Sequence, residues 1–155
     1  MRFISYFNVY LSISYIFLLS SCSTVTSSPP PPEITFNIFA DTQANSGGLF
    51  YFVIHRTNEK QFMSDVYQDI ANNIFNESHN LENLGFFSVV PGMNQEFKII
   101  QPSQGSISLY FLLTQPNPEW KKLISMPFQE NYDINIKSDN QIYISEHKPW
   151  YLWFY

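Results

Sequence analysis

The chain has 155 residues, with 13 Asp and Glu against 8 Lys and Arg, and a formal net charge of −5. An acidic chain with few basic residues argues against nucleic acid as a partner, because phosphates require a basic binding face. Cys22 is the only cysteine. The chain therefore cannot form an internal disulfide or a multi-thiolate metal site.

Cys22 follows an N-terminal segment that is typical of a secretory signal. Arg2 is basic and residues 11–19 are mainly apolar, but the stretch is shorter than the roughly 20 residues of a spanning helix. Leu19-Ser20-Ser21 before Cys22 resembles a bacterial lipobox. That resemblance implies cleavage after Ser21, with diacylglycerol and an N-acyl chain on Cys22. The alternatives are an unlipidated signal peptide with a spectator cysteine, or an uncleaved anchor.

The residues after Cys22 predict a tether, 22–32, followed by one domain, 33–155. Serine and threonine supply flexibility, and Pro29–Pro32 favours a stiff polyproline II spacer. Ser23 resembles the outer-membrane default of Gram-negative lipoprotein sorting. Loss of residues 1–21 leaves seven Lys and Arg against 13 Asp and Glu. Electrostatic docking to anionic lipid is therefore not expected, so the acyl chains carry the membrane attachment.

Residues 33–155 read mostly with the period of two that is typical of strands. A polar loop, 41–48, separates the first two strands. The eight predicted strands are 34–39, 49–56, 85–90, 95–100, 106–113, 121–126, 132–137 and 141–145. Apolar residues at spacings of three and four predict one inserted helix around 62–75, with Ser64 as its N-cap. The fold class predicted is mainly β, a sandwich of about eight strands with one helix.

Residues that carry catalysis or hold metal show no motif in this chain. His55, His79 and His147 each stand alone, without the spacing of a metal site. There is no Gly-x-Ser-x-Gly elbow and no Gly-rich phosphate loop. A triad assembled from distant residues stays open. The sequence predicts a protein that binds rather than catalyses, with no metal and no cofactor apart from the lipid on Cys22.

Two segments are candidates for binding. One is the polar loop 41–48, because loops on a rigid sandwich are common binding surfaces. The other is Trp150-Tyr151-Leu152-Trp153-Phe154-Tyr155, which has five aromatic residues in six positions. As a strand this segment would place aromatic rings on both faces. Either both faces are covered by the domain, or one is an exposed apolar patch that marks an interface.

The order of these segments resembles the outer-membrane lipoprotein of type VI secretion systems, the TssJ (SciN/VasD) family. The similar segments after the lipobox are Phe39-Ala40, the loop with Asn45 and Gly47, the strand 49–56, Phe62-x-Ser64-Asp65-Val66-Tyr67-x-x-Ile70, Phe87-Ser88-Val89-Val90-Pro91-Gly92, Glu96-Phe97-Lys98-Ile99, the strand 107–113 and Trp120-Lys121-Lys122. The loop 41–48 is short for the family, Ser64 replaces a more usual alanine, and the aromatic segment has no counterpart.

The resemblance implies a transthyretin-like β-sandwich that is anchored in the outer membrane and faces the periplasm. It implies a structural role, in which the lipoprotein binds the periplasmic domain of the inner-membrane subunit TssM. The family's partner-binding loop corresponds here to Thr42, Gln43, Ala44, Asn45, Ser46, Gly47 and Gly48. Two other functions stay open. One is a lipid-anchored ligand- or glycan-binding sandwich that stacks sugars on Trp120 or Trp150, although no small-molecule substrate is expected. The other is a hydrolase with an assembled site.

Overall fold

The computed structural model describes residues 29–74 and 82–146 and contains eight strands in these ranges. Their bounds are β1 Glu33–Ala40, β2 Phe50–Thr57, β3 Asn83–Val89, β4 Asn94–Ile100, β5 Ser106–Leu112, β6 Lys121–Ile124, β7 Asn131–Ile136 and β8 Ile142–Glu146. Two four-stranded sheets have the orders β4-β1-β7-β8 and β3-β2-β5-β6. The predicted mainly β sandwich is confirmed, and each predicted strand matches an observed one.

The chain divides into two compact units, residues 1–30 and 31–155, and all these strands belong to the second. Several segments lie outside the described residues, namely the predicted signal peptide 1–21, Cys22, His79, His147 and the segment 150–155. So does most of the tether, of which only the exposed Pro29–Pro32 are described. The predictions made for these segments stay predictions.

The core lies between the sheets and is built from alternate residues of each strand. In β1, Ile34, Phe36 and Ile38 are buried, whereas the residues between them face outward. The Phe52 ring of β2 lies at the centre of the core, with its centroid 5.7 Å from that of Phe36 and 5.2 Å from that of Phe111. The alternation of apolar and polar residues that predicted the strands is therefore observed, and the apolar residues of each strand face the opposite sheet.

The prediction of one helix over 62–75 is wrong in its details. Two short helices occur instead, α1 Glu59–Ser64 and α2 Tyr67–Ile74. Asn58 is the N-cap of α1, since its side chain accepts a hydrogen bond from Gln61 N, and Ser64 is the last residue of that helix rather than a cap. Asp65 ends α1 in an extended conformation.

The break between the helices is fixed by the neighbouring sheet. Lys121 Nζ donates to the carbonyl oxygens of Phe62 and Asp65, at 2.6 and 2.8 Å, so it caps the end of α1. The Asp65 carboxylate accepts a hydrogen bond from the Tyr110 hydroxyl. Tyr67 and Ile70 of α2 then pack on the outer face of the second sheet. The helical spacing identified the packed face correctly, but the cap came from a residue 56 positions away along the chain.

Strand directions place the connections at two opposite ends of the sandwich. β4 runs antiparallel to β1 and β7 runs parallel to it. The loops 41–49, 90–93, 113–120 and 137–141 therefore lie together, and we call this the loop end. At the opposite end the chain enters β1 at Glu33 and leaves β8 at Glu146. We call this the tether end. The eight residues of β1 separate the two ends by about 25 Å.

Candidate functional site

Asn45 anchors the first loop of the loop end. Its side chain is buried, with 5% exposed, inside a tight turn over Ala44–Gly47. Asn45 Nδ2 donates to the carbonyl oxygens of Gly48 and Leu49, each at 3.0 Å, and Oδ1 accepts from Thr114 N at 2.7 Å. The backbone of Asn45 is left-handed, with φ of 49°, a conformation that asparagine tolerates better than most residues.

Asn140 joins two further loops to the first. Its Oδ1 accepts from the backbone N–H of Asn45 at 2.7 Å, and its Nδ2 donates to Gln115 O at 3.3 Å. The carbonyl oxygen of Asn140 accepts from Asn117 Nδ2. Like Asn45, Asn140 has a positive φ, of 65°. Two buried or half-buried asparagines thus hold three loops of the loop end in one arrangement.

The fourth loop, 90–93, packs against the first through Gly92. Gly92 N donates to Ala40 O at 2.7 Å. A Cβ at Gly92 would lie 3.0 Å from Thr42 Cγ2, and the φ of +81° is left-handed. Both facts explain why glycine occupies this turn. All four loops are therefore connected by direct contacts, and the loop end is one joined surface rather than a set of independent segments.

The structure divides the seven residues predicted to bind a partner into two groups. Five are exposed, namely Thr42, Gln43, Ser46, Gly47 and Gly48. Ala44 and Asn45 are buried, so their side chains hold the loop in place and are not available to a partner in this conformation. The sequence analysis missed this anchoring role. The tolerance of asparagine for left-handed backbone was the available signal, but its partners Thr114 and Asn140 come from loops far along the chain.

An apolar rim borders the exposed face of the first loop. It consists of Leu49, Val90 and Met93, whose side chains are 49%, 39% and 55% exposed. Phe50 pairs with Val89, so Leu49 and Val90 come next to each other where β2 and β3 meet the loop end. Exposed apolar side chains and methionine are enriched at protein interfaces. The sequence analysis did not single out this rim, because Leu49 was included in the predicted strand 49–56.

Part of the outer face of the second sheet is covered by the helices and by Trp120. Trp120 packs edge-on against Tyr67, with ring centroids 5.1 Å apart, and stacks on Tyr110 at 5.6 Å. Trp120 is half-buried in this cluster, which counts against it as one of the two tryptophans that the glycan-binding alternative offered for stacking sugars. The other, Trp150, lies outside the described residues.

Ionisable groups beneath the helices have perturbed pKa values. Burial lowers the pKa of His55, which packs edge-on against Tyr110, although the charges of Asp65 and Glu82 act in the opposite direction. Burial also raises the pKa of Tyr110, and its hydrogen bond to Asp65 adds to this shift. The Tyr110 hydroxyl therefore stays protonated and donates to Asp65.

Within residues 29–74 and 82–146, strand pairing brings a serine next to a histidine. Ser108 lies opposite His55 across the strand pair, but it is completely buried and cannot meet a substrate. In the same ranges no group of three His, Cys, Asp or Glu side chains is placed to hold a metal. None of the helices that the structure describes is long and apolar enough to cross a membrane.

A groove of about 530 Å³ crosses the outer face of the first sheet. Its lining is mostly polar and includes Asn37, Phe39, Glu96, Asp133, Asn135 and Ser145. Asn37 Nδ2 donates to Asp133 Oδ1 at 2.9 Å, so part of this polar surface is satisfied within the sheet. Trp120 does not line the groove.

The sandwich, with its short helices and joined loop end, has the fold of type VI secretion lipoproteins. Lip of Serratia marcescens, a membrane-bound component of the type VI secretion system, superposes with a TM-score of 0.60, and the T6SS lipoprotein TssJ1 of Pseudomonas aeruginosa with 0.56. Each is 13% identical, and the alignment covers 77% of this chain and 99% of the other. A chain of a type VI membrane complex matches with a TM-score of 0.57 and 12% identity, over 74% of this chain and 98% of that one.

The sequence itself places the chain in a family. The family of the IglE N-terminal domain matches residues 51–136, more than half of the chain, and the chain belongs to it. The resemblance to TssJ-like lipoproteins is thereby confirmed. None of the curated proteins matches the sequence.

Proposed function

We propose that this chain is a structural lipoprotein of a type VI-like secretion membrane complex. In this proposal Cys22 carries the lipid that holds the chain in the outer membrane. The loop end binds the periplasmic domain of a TssM-like inner-membrane subunit. The membership of the IglE family and the TssJ-like fold support the coarse part of this proposal.

The observation that carries the proposal is the position of the loop end. The chain enters the sandwich at Glu33. Gln101 N donates a hydrogen bond to the carbonyl oxygen of the preceding residue, Pro32, at 2.9 Å. The first loop lies at the other end of β1, about 25 Å away. A domain anchored through residues 22–32 therefore has its four loops at the end opposite its attachment point, where the tether lets them reach away from the anchoring membrane. This is the direction in which an inner-membrane partner would be met.

The chemistry of the loop end suits a protein partner. Residues 42–48 contain no charged side chain, and the apolar rim borders them. Apolar side chains next to neutral hydrogen-bonding groups are common components of an interface. The hydrogen bonds of Asn45 and Asn140 order the surface in advance, which lowers the entropic penalty of association. Lipid anchoring also favours association with the partner, because confinement to one membrane raises the effective concentration of the site. A structural role of this kind requires no catalytic site.

Binding of the full chain to the TssM-like periplasmic domain tests the proposal. Gln43→Arg places an unpaired guanidinium in the proposed interface, and we expect binding to weaken about tenfold or more because that charge must be desolvated. Gln104→Arg is the matched control, since Gln104 is also exposed but lies at the tether end. Equal binding by the two variants, or equal loss, would place the interface elsewhere.

The lipid anchor has its own test. Metabolic labelling with radioactive palmitate should label the native chain in the outer-membrane fraction, and Cys22→Ala should remove the label. The same variant should keep the sandwich folded but abolish assembly of the secretion complex. Normal secretion by a strain in which Cys22→Ala is the only form of this protein would contradict the proposed role.

A further inference from the structure

The groove on the outer face of the first sheet has no part in the proposed function. The helices pack on the second sheet, α2 through Tyr67 and Ile70 and α1 through the cap from Lys121. The described helices therefore leave the outer face of the first sheet open. The volume of the groove, about 530 Å³, lies within the range of ligand-binding sites in proteins.

Strand register arranges the outward residues of this sheet in rows that cross the strands. The first row, taken from β4 through β1 and β7 to β8, consists of Asn94, Phe39, Asn135 and Tyr143. The second row consists, in the same order of strands, of Glu96, Asn37, Asp133 and Ser145. All of these residues except Tyr143 line the groove, and Tyr143 borders it as the neighbour of Asn135. The two rows are about 7 Å apart along the strands.

The first row carries two exposed aromatic side chains. Phe39 and Tyr143 are 39% and 52% exposed, and Asn135 lies between them on β7. Because two strand spacings separate them, their Cα atoms are about 10 Å apart. This spacing corresponds to the disaccharide repeat of an extended polysaccharide. An aromatic ring offers an apolar face to the C–H groups of a sugar, and the amide of Asn135 both donates and accepts hydrogen bonds.

The charges of the second row are compensated within the sheet. Lys98 Nζ lies 3.1 Å from Glu96 Oε1, and Asp133 Oδ1 accepts a hydrogen bond from Asn37 Nδ2 at 2.9 Å. The groove therefore does not require a cation to neutralise it, whereas an anionic ligand would meet two carboxylates. The amides, carboxylates and the Ser145 hydroxyl place donors and acceptors side by side. Sugar hydroxyls need both, since each donates and accepts.

The composition of the groove differs from that of a protein interface. The core of a protein interface is depleted of aspartate, glutamate and serine and enriched in aromatic residues and methionine. The groove has Glu96, Asp133 and Ser145 in its lining, and Phe39 is its aromatic residue. Carboxylates in this position also disfavour nucleic acid. The lining therefore favours an uncharged ligand that is rich in hydroxyl groups.

We propose that the outer face of the first sheet binds an uncharged linear polysaccharide. The glycan chain crosses the strands along the first row, with sugars stacked on Phe39 and Tyr143. Hydrogen bonds from the second row hold its hydroxyl groups. The inference does not rest on the proposed function, because the groove and the loop end consist of different residues. The domain can therefore hold a protein at its loop end and a glycan on its sheet at the same time.

Titration calorimetry of the full chain with defined oligosaccharides tests this site. The probes are two neutral hexamers, cellohexaose and the hexamer of N-acetylglucosamine, and one anionic hexamer, hexagalacturonate. We expect at least one neutral hexamer to bind. Hexagalacturonate should bind about tenfold more weakly or worse, because its carboxylates would face those of Glu96 and Asp133.

Substitutions in the first row locate the binding. Tyr143→Ala and Phe39→Ala should each weaken binding of the neutral hexamer about tenfold, because each removes a stacking surface. Phe86→Ala is the matched control, since Phe86 is also an exposed aromatic residue, 42% exposed, but belongs to β3 of the second sheet. It should bind the hexamer as the native chain does. Tyr143 lies on β8, the last strand of its sheet, so Tyr143→Ala should keep the fold, which thermal denaturation checks.

The outcomes separate this inference from the proposed function. Binding of neither neutral hexamer, or equally tight binding of hexagalacturonate, overturns the inference. A neutral hexamer that binds both first-row variants as tightly as the native chain also overturns it, because the site would then lie elsewhere. Gln43→Arg should leave hexamer binding unchanged, and Tyr143→Ala should leave binding to the TssM-like domain unchanged, so the two proposals fail independently. If no hexamer binds and Tyr143→Ala weakens binding to the TssM-like domain, the face is a protein interface and the inference is wrong.

Discussion

Removal of the Asn45 side chain should loosen the loop end more than any change on its exposed face. Asn45→Gly deletes three hydrogen bonds and keeps the left-handed backbone accessible. At about 1 kcal/mol for each bond, with partial replacement by water, the loss of unfolding free energy is about 2 kcal/mol. Asn45→Ala deletes the same three bonds and keeps a Cβ at φ of 49° without the polar side chain that lets asparagine tolerate this conformation, so it should lose about 1 kcal/mol more than Asn45→Gly.

Urea denaturation of the two variants measures these losses. For a domain of this size, a loss of about 3 kcal/mol of unfolding free energy in Asn45→Ala corresponds to a decrease in Tm of about 10 °C in thermal denaturation. Hydrogen exchange at the Thr114 amide should also accelerate, because its acceptor is gone. Gln43→Ala is the control and should stay within about 0.5 kcal/mol of the native chain. The reasoning is refuted if Asn45→Ala is no less stable than Gln43→Ala, or if Asn45→Gly is the worse of the two Asn45 variants.

Three further predictions concern stability. Gly92→Ala should destabilise the chain by about 1–2 kcal/mol in urea denaturation, because alanine disfavours the left-handed φ of this position. Adding Thr42→Ser should relieve only the contact between the new Cβ and Thr42 Cγ2, so full rescue by Thr42→Ser would show that the φ is not the cause. Lys121→Met should destabilise the chain by about 1–2 kcal/mol, because the cap of α1 is lost. The control Lys122→Met breaks only an exposed ion pair with Glu119 and should be near neutral, so equal losses of unfolding free energy in the two variants would contradict the capping role of Lys121. Because burial lowers the pKa of His55, this side chain takes up a proton more readily in the unfolded chain, and the stability of the fold should decrease as the pH drops through about 6.5. His55→Gln should show a smaller decrease between about pH 7.5 and 5.5, and an unchanged pH profile would contradict the lowered pKa of His55.

Strands were predictable because their signal is local. The alternation of Ile34, Phe36 and Ile38 reports directly which face of β1 is buried, and no distant residue changes that pattern. The helices were less predictable. Their apolar spacing continues from 62 to 75, but the break at Asp65 depends on Lys121 and Tyr110, which belong to strands far along the chain. Spacing alone cannot reveal a cap that is supplied by another strand.

The candidate site shows the same division. The composition of the loop 41–48 and the family resemblance made the segment a candidate, and the structure exposes Thr42, Gln43 and Ser46 there. That Asn45 is instead an internal anchor follows from its bonds to Thr114 and Asn140, which only the assembled fold brings together. The apolar rim arises similarly, because strand register sets Leu49 beside Val90.

The orientation of the loop end is the central claim, and cross-linking in cells tests it most directly. A photo-activatable amino acid is placed at position 43 on the loop end or at position 104 on the tether end, in the native lipidated chain. The account predicts a cross-link to the TssM-like subunit from position 43 and none from position 104. A cross-link from position 104 alone, or from neither position in a strain that still secretes, would contradict it.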